Sequence, residues 1–121
     1  MNTALWIIQG ILAAMFLMAG IMKSTQPIDK LVKTVTWADR FPVTTVRLIG
    51  TVEFLAALGL ILPWLLNIVP LLTPIAASGL ALVMVLAIFH HAKHKESKAI
   101  VFNIVLLSLS AFVAYGRYSS L

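Results

Sequence analysis

The sequence predicts an all-α polytopic membrane protein. It reads as a four-transmembrane-helix bundle, with a short amphipathic helix on the cytoplasmic side between helices 1 and 2. Three observations predict this. The 121 residues are 61% hydrophobic and only 11% charged, whereas soluble domains are about 45–50% apolar and about 25% charged. The apolar residues fall into stretches long enough to cross a hydrocarbon core of roughly 30 Å at about 1.5 Å per helical residue. The basic residues gather in two segments that four spans place on one side of the membrane. A soluble fold of this size could not bury so much apolar surface, so lipid is the expected solvent.

The whole chain, 1–121, is read as a single membrane domain with helices at about 4–22, 45–62, 71–90 and 99–115. Ala4 to Met22 is interrupted only by Gln9. Secretory signals carry positive charge before the apolar run, and here the first basic residue, Lys23, follows it, so the stretch is expected to be retained as a span. In the next segment Ser24 or Thr25 offers a cap and Pro27 suits a first helical turn. Ile28, Leu31, Val32 and Val35 then share one face, opposite Lys30, Lys33 and Thr34, as in a helix lying in the membrane surface or packed on the bundle. Leu48 to Phe89 is too long for one span and long enough for two. Pro63, Pro70 and Pro74, with Asn67 among them, mark the turn. Ala99 to Tyr115 is the fourth span, ended by Gly116 and Arg117.

Orientation follows from charge. Lys23, Lys30, Lys33, Arg40 and Arg47 lie in one connecting segment and Lys93, Lys95 and Lys98 in another, against Arg117 alone on the other side. That bias predicts a multi-pass protein with its basic segments in the cytoplasm and both termini outside. Trp6, Trp64, Tyr115 and Tyr118 fall at the outer ends of spans and Trp37, Phe41 and Phe102 near the inner boundary, as aromatic belts do. The net charge of +5 is thereby assigned to membrane orientation. No aromatic-interleaved basic patch is present, so no nucleic acid partner is expected. The expected partners are the lipid bilayer and either a membrane protein or a second copy of the chain.

Helices in lipid meet through small residues. The expected seams are Gly10, Ala13, Leu17 and Gly20 in the first helix, Gly50, Glu53 and Ala57 in the second, and Ala77 and Ala81 in the third. The chain has no cysteine, which excludes disulfides, thiolate metal sites, thiol redox chemistry and cysteine-ligated iron–sulfur clusters.

No catalytic residue is assigned. Glu53 is the one acidic residue well inside a span, roughly 10 Å deep. A charge there costs a few kcal/mol even on lenient insertion scales, so it should face the bundle and have a partner. Lys23 is the preferred partner, and Arg47 is second because it lies about 120° round the helix. Asn103 lies at the same depth and joins them as a candidate ligand-binding residue. The competing reading is a structural ion pair that fixes helix register. Gln9, one turn inside the opposite surface, is expected to hydrogen-bond across helices. His90 and His94 are four apart and share a helix face, as metal ligands often do. The alternative is a solvated basic helix end. A bis-histidine haem usually needs histidines from different helices, and all three here lie on one segment.

The stretch from Met18 to Lys23, Met-Ala-Gly-Ile-Met-Lys, is followed by the run Arg47 to Pro63 with its Arg47, Gly50, Glu53, Gly59 and Pro63 skeleton. Together they resemble the DoxX-like family over nearly the whole chain. The resemblance implies a four-helix membrane fold and less about activity. It implies a non-catalytic accessory or assembly subunit of a quinone-linked or oxidative-stress membrane complex, with a quinone as the cofactor class left open. The alternative is an intramembrane binder of a small amphiphile, quinone or lipid, with Glu53 as polar anchor. A transporter is disfavoured, since one buried carboxylate and no broken-helix repeat give it little support.

Overall fold

Four helices long and apolar enough to cross a membrane carry the chain back and forth in the computed structural model, which describes residues 2–121. Helix α1 spans Asn2–Thr25 and a short α2 spans Ile28–Leu31. A 3-10 turn at Ala38–Arg40 leads into α3, Val43–Leu65, followed by α4, Leu72–Lys93, and α5, Ser97–Ser119. Each long helix overruns its expected span by two to four residues at both ends, except that α4 begins one residue later. The connections α1–α3 and α4–α5 carry the basic segments, and the end they share is called here the basic end.

Helix α1 packs chiefly on α3 and α4 on α5, while the α3–α4 and α1–α5 seams are less extensive. The bundle is thus two tight pairs joined by two looser seams. Gly20 and Gly50 make the α1–α3 pair tight. A Cβ on Gly20 would fall 2.6 Å from the Phe54 amide nitrogen, and one on Gly50 would fall 2.7 Å from that of Ser24. Lipid tails are as apolar as the helix surfaces, so close backbone approach supplies much of the packing.

The expected α3 face is the observed one, with Gly50, Glu53 and Ala57 all buried. In α4 Ala77 is buried and Ala81 half-buried. The expected α1 face needs correction. Gly10 is exposed, and a Cβ there would meet nothing within 4 Å. The inward stripe is Leu5, Gln9, Leu12, Phe16 and Gly20. Leu12, Phe16, Ala57, Leu60, Leu80 and Val113 form the dry middle of the bundle.

Helix α3 does not stop before Pro63 but runs through it to Leu65. Proline has no N–H to give the Gly59 carbonyl four residues back, and Thr73 Oγ1 of α4 donates to that carbonyl at 2.9 Å instead. The helix then closes on Asn67 in the left-handed region, φ 54°, with the Ile68 N–H bonded to the Pro63 carbonyl at 3.1 Å. Helix α4 closes in the same manner. Lys95 takes φ 57° and the Glu96 N–H bonds to the His91 carbonyl at 2.9 Å.

The helix expected after Pro27 is only four residues long. Val32, Thr34, Val35 and Thr36 are β-branched and lose side-chain freedom in a helix. Ser24 and Thr25 do not cap it, because their hydroxyls bond back to the Gly20 and Ile21 carbonyls. The N-cap is Pro27, without a side-chain bond. The apolar face is the expected one, with Leu31 buried against Ala38 and Val46. The segment therefore packs on the basic end of the bundle.

Candidate functional site

The close approach at Gly50 sets Lys23 beside α3, since a Cβ on Gly50 would lie 2.6 Å from the Lys23 Cβ. From there the Lys23 side chain reaches one turn deeper, and its Nζ donates to Glu53 Oε1 at 2.7 Å. Glu53 is 2% exposed. The Lys23 ammonium also lies 5.2 Å from the centre of the Trp37 ring. Arg47 does not join the pair: its Nη1 donates to the Lys23 carbonyl at 2.9 Å, satisfying one of the orphan acceptors at the end of α1. Asn103 is buried on α5 and faces the same space.

Two cavities meet there. One, of about 490 Å³, lies between α1 and α5 and is walled by Met18, Met22, Ala99, Phe102 and Leu106. The other, of about 360 Å³, lies between α3 and α4 and is walled by Leu48, Val52, Val83, Leu86 and Ala87. Both are also lined by Lys23, Trp37, Glu53, Met84, His91 and Asn103. The looser seams thus hold two apolar arms that converge on one polar junction. Volumes of roughly 300–1,000 Å³ with few convergent polar groups are typical of ligand sites.

The α1–α3 loop roofs the junction. Trp37 lines both cavities, and Phe41 packs edge-on against it at 5.7 Å between ring centres and 5.2 Å from the His90 ring. Arg40 ties this roof to the α4–α5 turn. Its Nη1 and Nη2 donate to the two Glu96 oxygens at 2.8 and 3.2 Å, a bidentate geometry. Arg40 Nη1 is also 3.1 Å from His90 Nε2. A guanidinium only donates, so that ring nitrogen accepts and carries no proton. His91 Nδ1 lies 3.0 Å from Glu96 Oε1, and there the carboxylate is the acceptor. The hydrogen bond from Arg40, then that from His91, hold the Glu96 carboxyl down to about 2. The same bond to Glu96 raises the Arg40 guanidinium.

The sequence-predicted pair His90 and His94 are neighbours through their rings, 4.6 Å apart between centres. The donor atoms that converge are instead those of His90, His91 and Glu96, all within 4.8 Å of one another.

The opposite end holds a polar cluster in which Gln9 bonds across helices as expected, but around Arg117, which the sequence does not place there. Arg117, expected to end the last span, lies inside α5 and is 1% exposed. Its Nε donates to Gln9 Oε1 at 2.6 Å and its Nη1 to Asn2 Oδ1 at 2.8 Å. Gln9 Nε2 donates in turn to the Leu60 carbonyl at 2.6 Å, which ties α1, α3 and α5 together. The Trp64 and Trp6 rings lie 4.5 and 5.3 Å from the guanidinium carbon. The available signal was Gly116, where a Cβ would fall 2.6 Å from Leu5 Cδ2. Leu5 of α1 fills the space that a side chain at Gly116, one residue before Arg117, would take.

The model of the DoxX-like family matches residues 7–113. No curated protein and no solved structure matches the chain. The family match takes in Lys23, Glu53, His91 and Asn103 and stops short of Arg117.

Proposed function

The chain belongs to the DoxX-like family of multi-pass membrane proteins, and from that premise we propose that it binds the head group of a small membrane amphiphile at the Lys23–Glu53 junction. The observation that carries the reading is the convergence of two apolar cavities on one set of polar groups. The Lys23 ammonium and the Asn103 amide supply donors, Glu53 supplies an acceptor, and Trp37 offers a flat apolar surface above them. An isoprenoid quinone suits this arrangement, since its carbonyl oxygens accept hydrogen bonds and its chain fits an apolar arm. A lipid is the other source of the same chemistry. Arg47 supports the site at one remove, by holding the end of α1 that carries Lys23.

The protein acts, in this reading, as a non-catalytic accessory or assembly subunit of a quinone-linked or oxidative-stress complex. The family resemblance supports that role. The family resemblance supports placement in a bacterial inner membrane, and the charge bias supports a cytoplasmic basic end.

Purification in mild detergent followed by solvent extraction tests the proposal. One amphiphile, quinone or lipid, is expected in near-equal amount to the protein. An extract no different from that of an unrelated four-helix protein purified alongside would refute it. Recovery of the protein alone under several growth conditions would count against the accessory role.

A further inference from the structure

The geometry points to a transition-metal site at the basic end, built from His90, His91 and Glu96, in which Arg40 and the metal ion exclude one another. The local fold brings the donors together. His90 and His91 occupy the last turn of α4, and the left-handed turn at Lys95 folds Glu96 back over that turn, with its N–H on the His91 carbonyl. The three donor atoms lie within 4.8 Å of one another. Nitrogen and oxygen ligands about 2.0–2.2 Å from a tetrahedral zinc ion stand roughly 3.3 Å apart, so the set must draw in modestly. Glu96 lies in the turn with a partly exposed side chain and is able to make that adjustment.

The position of Arg40 supports the assignment. Its Nη1 sits between Glu96 Oε1 and His90 Nε2, at 2.8 and 3.1 Å. These are the lone pairs a metal ion would take, and both already point at a cation. His90 presents an unprotonated nitrogen there, as metal binding requires. His91 Nδ1 donates to Glu96 without the ion and gives up that proton to Nε2 or to solvent when the ion binds. The exposed His94 stands next to His90 and is within reach as a fourth ligand. Imidazoles with a single carboxylate select zinc, cobalt or nickel over magnesium or calcium. An ion in this place severs the tie between Arg40 and Glu96 and frees the loop that roofs the junction. The site stands independently of any amphiphile.

The test is titration of the purified protein, carrying no histidine tag, with Co²⁺, read from the visible absorption of the bound ion and its displacement by Zn²⁺. One ion per chain is expected. His90→Ala and Glu96→Gln should each weaken binding about tenfold or more. Arg40→Gln should bind several-fold more tightly than wild type, because the competing cation is gone. Circular dichroism checks that each variant is folded, and His91→Gln replaces either ligand variant that is not. Absence of Co²⁺ binding overturns the proposal, as does full affinity in the ligand variants or no tightening in Arg40→Gln.

Discussion

Gly20 and Gly50 meet backbone to backbone, and a Cβ on Gly20 would stand 2.7 Å from the Gly50 carbonyl oxygen. The neighbouring atoms are main chain of α3 and cannot swing aside. Gly20→Ala should therefore pry α1 from α3 and lower stability by roughly 1–3 kcal/mol, the usual cost of overpacking. Gly10→Ala meets nothing and should be neutral or gain up to about 1 kcal/mol of helix propensity. Thermal unfolding of the two variants in one detergent checks the contrast.

The Lys23–Glu53 pair lies in the same seam, so removing one partner leaves the other charge buried. Lys23→Met or Glu53→Leu alone should cost roughly 3–5 kcal/mol, and the double variant clearly less than either. A double-mutant cycle on unfolding midpoints measures this. A double variant that loses the sum of the two single losses would mean the two groups do not depend on each other.

Much of this was legible in the sequence. The four spans follow from apolar length, and the partnership of Lys23 with Glu53 follows from depth and from the small residues beside them. The face of α1 was not legible. Leucine and glycine suit lipid as well as a core, so a membrane helix carries little contrast between its two sides, and Gly10 was assigned to the wrong one. The cavities depend on which helices pair tightly, and no single helix encodes that. The burial of Arg117 was not legible either, because a basic residue near a span's end ordinarily reaches water, whereas Trp6, Trp64 and Gln9 from two other helices enclose it here.

Arg117 should resist conservative replacement. A lysine lacks the planar fork that reaches Gln9 and Asn2 together and stacks between the tryptophans. Arg117→Lys should cost about 1–3 kcal/mol through the acceptors it leaves unpaired. Near-native melting of this variant would show that charge alone suffices at this end.

Orientation is open to direct labelling because the chain has no cysteine. Ser119→Cys and Lys95→Cys place exposed thiols at opposite ends of α5 and its preceding turn. On intact cells an impermeant maleimide should modify the first and spare the second. The reverse pattern would invert the topology.

The central claim is that the Lys23–Glu53 junction holds an amphiphile by its head group. Native mass spectrometry of the wild-type protein and of Glu53→Gln, released from the same detergent, tests it most directly. The wild type should carry one bound molecule of defined mass and Glu53→Gln should lose most of it. The same molecule at the same occupancy in both proteins would contradict the account.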